Sequence, residues 1–378
     1  MTAYICIWYL ELITRVSGIE PLSTMSIRVC VFSSIGGLRR AIVEECLKRS
    51  TLSERLSNDM LCISEGSDGL DGADVVVADP GLAAPIINTQ FTNMIWLQST
   101  FAGVNLLMDS NLRRNYTLCR IGRGFGEQMA EYTMGWILAL QIKVPETIKN
   151  KHNKQWDTHP FKDRGVLVGK TLGILGAGQI GTSIAAAARA FGLLPLGLIR
   201  SGRTEGEESP ASSFHELSTS MEDILAKSDY IVNCLPSTPS TRNVLTLPLL
   251  QATCGVRRPV FINIGRGDVI STSTIINALE AQLLSHCVLD VVETEPLPQD
   301  SPLWDHPSVT ITPHISALSY PALVAEIFVD NLDRYVALKE GGGSGPRYFD
   351  MDNQQRDSCS SSLLDEELLF TVDWKKGY

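Results

Sequence analysis

The sequence lacks any apolar run of membrane-spanning length, so a helical membrane protein is not expected. It also lacks a surplus of basic charge. Its 32 Lys and Arg against 42 Asp and Glu leave a formal charge of −10, which argues against general nucleic-acid binding and against an anionic membrane surface. A small acidic substrate stays open, because a local arginine can oppose the global sign. Nine cysteines are scattered without a Cys-x-x-Cys pair. That excludes a zinc pattern and a dense secreted disulfide framework, and it suits a reducing, cytoplasmic compartment. No basic segment precedes the apolar residues 3–10, and Glu11 and Glu20 interrupt the stretch after them. Residues 1–25 therefore resemble neither a secretory signal nor a transit peptide, and are expected to be an extension without a fold role.

What is present is an α/β pattern. At 378 residues, 44% of them hydrophobic, two domains are the starting expectation. In the first half, strands are predicted at 27–33, 74–79, 94–98 and 116–120, with a helix from Gly36-Gly37 to about residue 50. The turn at 99–105, which holds Phe101, Ala102, Gly103 and Val104, follows a strand end, where α/β sheets bind ligands. The spacing predicts a helix over 127–142, long enough to cross between domains, with a break or a new helix at Pro145. Trp96, Trp136 and Trp156 are read as core or interface residues rather than ligand contacts.

The second half is more regular, and it is organised around one turn. A short apolar run, 171–175, meets Gly176-Ala177-Gly178-Gln179-Ile180-Gly181, and a small-residue helix follows to about 191. In such a Gly-x-Gly-x-x-Gly turn the first glycine permits the tight bend, the second lets backbone approach a pyrophosphate, and the third lets helix pack on strand. The helix start adds free N–H donors and a positive dipole end. Taken alone, the string is only a strand–turn–helix; further strands at 195–199, 230–234, 260–263, 287–291 and 309–312 supply its context. Six strands of this kind predict a doubly wound Rossmann sheet in the order 3-2-1-4-5-6. Beyond 320 a helix runs to about 339, then 340–366 reads as a flexible insertion, and the apolar 368–372 is expected to dock back on the body.

Strand ends carry the candidate chemistry. The second strand of this half ends in Arg200-Ser201-Gly202-Arg203, with no carboxylate to take a ribose 2′-hydroxyl. Two guanidinium groups suit a 2′-phosphate, so the cofactor indicated is NADP(H), with NAD(H) possible. After the fourth comes Arg266 between Gly265 and Gly267, glycines read as letting backbone approach a ligand. Asp290, Glu293 and Glu295 follow the fifth, and His314 follows Pro313 after the sixth. The other histidines are read as surface or structural. An arginine, a carboxylate and a histidine at one end of a sheet suit reversible reduction of a ketone beside a carboxylate. His314 would hand a proton to the carbonyl oxygen, a neighbouring carboxylate would keep it protonated, and Arg266 would bind the substrate carboxylate.

These strings, together with Leu235-Pro236-Ser237-Thr238-Pro239 and Thr310-Ile311-Thr312-Pro313-His314, resemble the D-isomer-specific 2-hydroxyacid dehydrogenase family, and within it the glyoxylate/hydroxypyruvate reductase A group. The resemblance covers about 27–340 and resumes at the terminus. It implies Arg266, Glu295 and His314 as the catalytic set and Asp290 as the holder of the nicotinamide carboxamide. The amides of Ala102, Gly103 and Val104 would bind the substrate carboxylate. Gly176, Gly178, Gln179, Ile180, Gly181, Arg200, Ser201, Arg203, Leu235, Pro236, Ile264 and His314 would contact the dinucleotide.

The resemblance further implies a homodimer of two Rossmann-like domains. A flavodoxin-like substrate domain (26–143 and 315–378) would carry an inserted cofactor domain (144–314). The expected reaction is NADPH-dependent reduction of small 2-oxo acids, glyoxylate to glycolate and hydroxypyruvate to D-glycerate, with no metal. A corepressor-like dinucleotide sensor, or a family enzyme for another 2-hydroxy acid, are the alternatives. Two departures stand out. Asn105 stands where many relatives have aspartate, and the insertion before the terminal segment leaves the placing of Tyr378 open.

Overall fold

A computed structural model describes residues 26–91, 93–200, 212–339, 364–365 and 367–374. The readings of 1–25, of Ser201, Arg203 and Tyr378, and of nearly all of 340–366 lie outside the described residues. The chain divides into two compact units, 1–122 with 319–378, and 123–318.

In the first unit, β1 (Ile27–Phe32), β2 (Leu61–Glu65), β3 (Val75–Ala78), β4 (Trp96–Ser99) and β5 (Thr117–Cys119) form a parallel sheet ordered β2-β1-β3-β4-β5. That is the flavodoxin-like order 2-1-3-4-5. Helices α1 (Leu38–Leu47) and α2 (Ser50–Ser57) lie between β1 and β2. Every residue of β3 and β4 is buried, as expected of central parallel strands covered on both faces. β2 is the strand that the sequence pattern did not predict. It sits at the sheet edge with alternating burial and carries Ser64 and Glu65, so it offers no apolar run.

The helix Pro321–Lys339 packs on α1 and buries Val324, Ile327, Phe328, Leu332, Tyr335 and Val336. Trp96 stacks on Phe328 with ring centroids 5.3 Å apart. The expected docking of 368–372 is present. The Val372 amide donates to the Leu118 carbonyl at 2.8 Å and the Arg120 amide to the Phe370 carbonyl at 3.1 Å. Buried Asn331 holds Leu369 through both its main-chain polar groups.

The second unit begins with α3 (Gly126–Gln141) and α4 (Val144–His152). There follow β6 (Thr171–Leu175), α5 (Gln179–Ala190), β7 (Leu194–Leu198), β8 (Glu216–Ser218), α6 (Met221–Lys227) and β9 (Tyr230–Asn233). It ends with α7 (Leu247–Thr253), β10 (Val260–Asn263), α8 (Thr272–Glu280), β11 (His286–Leu289) and β12 (Val309–Ile311). The sheet is parallel, ordered β12-β11-β10-β9-β6-β7-β8.

Counted within the unit, this is 3-2-1-4-5-6 with a seventh strand added. The expected order holds, but its membership needs correction. The third strand is β8, three half-buried residues at the edge, and Tyr230–Asn233 is the fourth. Glu216-Leu217-Ser218 is too short and too polar to stand out as a strand.

A second correction concerns the domain boundary, expected at 143/144 and 314/315. The units divide at 122/123 and 318/319. The physical reason is α3, whose Ala130, Met134 and Ile137 join one core with Ile184, Ala185 and Ala188 of α5. As expected from Pro145, a new helix starts there, after Lys143 in the left-handed region at φ 60°.

Trp96 is fully buried and Trp136 packs against this second core, but Trp156 is 99% exposed and belongs to no core of the single chain. Among the described residues no helix is long and apolar enough to cross a membrane, and no group of His, Cys, Asp and Glu could hold a metal ion.

Candidate active site

Because every strand of the second sheet is parallel, all their C-terminal ends lie along one edge, and the candidate residues follow those ends. Gly176, directly after β6, has φ +109°, a conformation that side chains rarely adopt. At Gly181 a Cβ would overlap the Gly176 carbonyl oxygen, so the turn and the first helical turn of α5 can close only around a bare backbone. At Gly178 a Cβ would meet nothing. That residue is the N-cap of α5, no side chain caps the helix start, and the exposed Gln179 and half-buried Ile180 follow it. The N–H groups of the first turn thus face open space, and a diphosphate fits there by charge and by room.

The Arg266 loop is held by a pair of asparagines that the sequence pattern did not single out. Asn233 ends β9 and Asn263 ends β10, and both are buried. Asn233 Nδ2 donates to Asn263 Oδ1 at 2.8 Å, and Asn233 Oδ1 accepts from the Leu235 amide at 3.1 Å. Asn263 Oδ1 also accepts from the Gly265 amide, while its Nδ2 donates to the Arg266 carbonyl at 3.2 Å. The pair fixes both loops together, Leu235-Pro236 and Ile264 to Arg266. Ile264 turns its side chain into the core, which leaves only its backbone for any ligand.

The glycines flanking Arg266 answer to neighbours inside the protein rather than to a ligand. A Cβ at Gly265 would lie 2.8 Å from Asn233 Nδ2, and one at Gly267 would overlap the Val292 carbonyl. Burial pulls the Arg266 guanidinium below its ordinary pKa, against the opposing pull of Glu295 and Asp268. Arginine stays charged at any working pH all the same.

His314 and Glu295 form the centre of the arrangement. His314 Nδ1 and Glu295 Oε2 are 2.8 Å apart, and Glu295 Oε1 accepts from the Val292 amide at 3.1 Å. The hydrogen bond to Glu295 raises the His314 pKa against the opposing effect of burial, the carboxylate charge adds to the rise, and Arg266 works against it. For Glu295, burial alone would raise the pKa, but the His314 hydrogen bond and charge, the Val292 amide and Arg266 together bring it below the ordinary value. The imidazole is 53% exposed, so Nε2 is open to a reactant while Nδ1 is engaged.

The turn that presents His314 is built on Asp290. The Asp290 carbonyl accepts from the His314 amide at 3.0 Å. Its carboxylate accepts from Thr312 Oγ1 at 2.6 Å and from the amides of Ile315 and Ser316 at 2.8 Å each. These bonds hold His314 in the left-handed region at φ 54°, where a residue with a side chain needs support. Tyr132 of α3, which nothing in the sequence marks out, reaches the Thr312 hydroxyl at 2.7 Å.

Arg200 follows β7 and is exposed; Ser201 and Arg203 lie outside the described residues. Ala102, Gly103 and Val104 belong to the first unit. There Val104 is buried in the core, while Ala102 and Gly103 remain partly exposed.

Residues 134–316 match the family model of the D-isomer specific 2-hydroxyacid dehydrogenase NAD binding domain. The chain is 34% identical over 224 residues to a glyoxylate/hydroxypyruvate reductase A from Citrobacter koseri, covering 58% of this chain and 67% of the relative. It is 30% identical over 212 residues to one from Photorhabdus laumondii subsp. laumondii, covering 56% of this chain and 64% of the relative. The match thus spans a little under two thirds of the latter protein's length. The crystal structure of a D-isomer specific 2-hydroxyacid dehydrogenase family protein from Aeromonas salmonicida subsp. salmonicida superposes with a TM-score of 0.73. It is 30% identical, with 92% of this chain and 100% of that chain covered. With the second unit carrying the family's nicotinamide-dinucleotide-binding domain and the likeness extending over both units, the chain belongs to the D-isomer specific 2-hydroxyacid dehydrogenase family.

Proposed function

We propose that the protein is an NADPH-dependent reductase of small 2-oxo acids, converting glyoxylate to glycolate and hydroxypyruvate to D-glycerate. The observation that carries this reading is the 2.8 Å contact between His314 and Glu295, with the Arg266 charge acting on both. The similarity to the two reductases supports the substrate class.

The turn Gly176 to Gly181 and the uncapped start of α5 hold the diphosphate, with Leu235, Pro236 and the Ile264 backbone beside it and Arg200, with Ser201 and Arg203, at the ribose 2′-phosphate. Asp290, whose carboxylate is bonded to the turn that presents His314, is assigned to the carboxamide end of the dinucleotide. A bound reduced nicotinamide supplies the hydride. Arg266 engages the substrate carboxylate and draws electron density from the carbonyl oxygen. His314, kept protonated by Glu295, donates its Nε2 proton to that oxygen. The amides of Ala102, Gly103 and Val104 hold the substrate carboxylate. A homodimer in the cytoplasm completes the reading.

The test is an assay of the purified protein with glyoxylate, hydroxypyruvate, pyruvate and 3-phosphohydroxypyruvate, each with NADPH and NADH. The expected result is turnover of the first two with a higher kcat/KM for NADPH. Activity confined to NADH, or absent with every 2-oxo acid, overturns the proposal. Peptide binding without turnover points instead to a dinucleotide-sensing interaction protein.

A further inference from the structure

In a parallel sheet the crevice for a ligand opens where the strand order reverses, which in the first unit is between β1 and β3. Here that place is filled from within. Asp79, the residue after β3, is 5% exposed. Its Oδ1 accepts from Ser33 Oγ at 2.5 Å and from Thr100 Oγ1 at 2.6 Å. Its Oδ2 accepts from the Ser34 amide at 2.8 Å and from Ser34 Oγ at 2.6 Å. Ser33 and Ser34 follow β1, and Thr100 follows β4, so one carboxylate ties together the ends of three strands. An aspartate directly before a helical turn, as here before Pro80, ordinarily caps it. The Asp79 side chain makes no such bond; it is committed to the sheet end instead.

What these bonds fix is the start of the turn 101–104. Thr100 is fully buried, its amide donates to the Ala78 carbonyl at 3.1 Å, and its carbonyl accepts from Ser319 Oγ at 2.6 Å. At the far end Val104 is buried in the core. Ala102 and Gly103 are therefore held between two anchors, and the first of them carries the charge of Asp79. Hydrogen bonds to an ionised acceptor are shorter and about twice as strong as neutral ones. Four of them on one buried group set the loop's starting point firmly.

We propose that Asp79 is a positioning residue for the substrate turn, holding Thr100 so that the amides of Ala102 to Val104 keep one arrangement. This rests on the reading that those amides take the substrate carboxylate. An amide in place of the carboxylate presents an NH2 either to the Ser34 N–H, which cannot turn away, or to the Ser33 and Thr100 hydroxyls, which lose a charged acceptor.

The experiment compares Asp79→Asn, Thr100→Val and Thr100→Ser with the wild type, by steady-state kinetics and by amide hydrogen exchange of residues 100–104 in the ligand-free protein. Asp79→Asn and Thr100→Val should each raise KM for the 2-oxo acid about tenfold, with kcat and the KM for the dinucleotide little changed. Both should speed exchange in 100–104 by a similar factor, and Thr100→Ser should restore wild-type behaviour. A folded Asp79→Asn or Thr100→Val protein with unchanged KM or unchanged exchange overturns the proposal, as does a Thr100→Ser protein as impaired as Thr100→Val. If Asp79→Asn does not fold, the Thr100 pair decides. If the wild type turns over no 2-oxo acid, the functional reading fails by itself, and the exchange measurement still decides whether Asp79 holds the turn.

Discussion

In the first unit the carboxylate at the reversal of strand order, Asp79, is 5% exposed and accepts four hydrogen bonds from its own chain. In the second, the Glu295 carboxylate is 37% exposed, is shared between one backbone amide and the half-exposed His314, and leaves the imidazole's other nitrogen open. Both sheets are parallel and both collect polar groups at their strand ends. One spends those groups on holding a turn still, and the other leaves them partly unspent. The contrast teaches where reactivity can sit in such a fold. A group saturated by neighbours positions something else, and a group with one side engaged and the other open can exchange a proton.

Variants at the open end should hurt most. His314→Ala should lower kcat for reduction by about 10³-fold, the range ascribed to a lost general acid, and Arg266→Ala by about 10²- to 10³-fold through lost polarisation of the carbonyl. Far-UV circular dichroism should show both folded as wild type. Wild-type rates from either would remove its assigned role and erase the contrast.

Glu295→Gln sharpens the comparison through pH. Reduction needs the imidazolium, and Glu295 lifts the His314 pKa above its ordinary value of about 6.5. The acid form therefore persists to higher pH in the wild type, and activity falls as pH rises through that raised pKa. Without the carboxylate the fall should begin at lower pH, with kcat/KM near pH 8 reduced about tenfold. A pH profile that does not move would show that the pair is not coupled in solution.

The glycine turn offers a test of the same kind within a single loop. Gly181→Ala must displace the Gly176 carbonyl, and should cost about 1–3 kcal/mol of stability as well as dinucleotide affinity. Gly178→Ala meets no protein atom. It should leave the melting temperature alone while weakening the dinucleotide about tenfold in a fluorescence titration. Equal losses of stability would mean that Gly178 serves the fold. The smallest effect is expected from the exposed Arg200: its change to alanine should raise KM for NADPH about fivefold, with little effect on NADH, as the loss of one of several cationic contacts to a phosphate.

Much of the second unit was legible because its signals are local. A glycine turn between an apolar run and a small-residue helix, and chemically capable residues in the loops directly after strand ends, are read from neighbours in sequence. What escaped was written across distance. Asn233 and Asn263 lie 30 residues apart and Tyr132 and Thr312 180 apart, and nothing beside any of them announces a partner. β2 and β8 were missed because edge strands need bury only one side, and neither Leu61–Glu65 nor Glu216–Ser218 carries an unbroken apolar run. α3 was assigned to the wrong unit because an apolar face does not say which core it joins.

The bridge made by the returning segment has a consequence of its own. β5 is the last strand of its sheet, and an open edge of this kind is a template for pairing with another chain. The Cys119–Thr371 bridge, with the Val372 and Arg120 amides bonded across it, occupies that template, and Leu368 and Val372 go under cover in the same stroke. The last described stretch of the chain therefore closes that edge: undocked, it would leave the amides and carbonyls along β5 unpaired and would bare its own Leu368 and Val372 to any extended segment that passed.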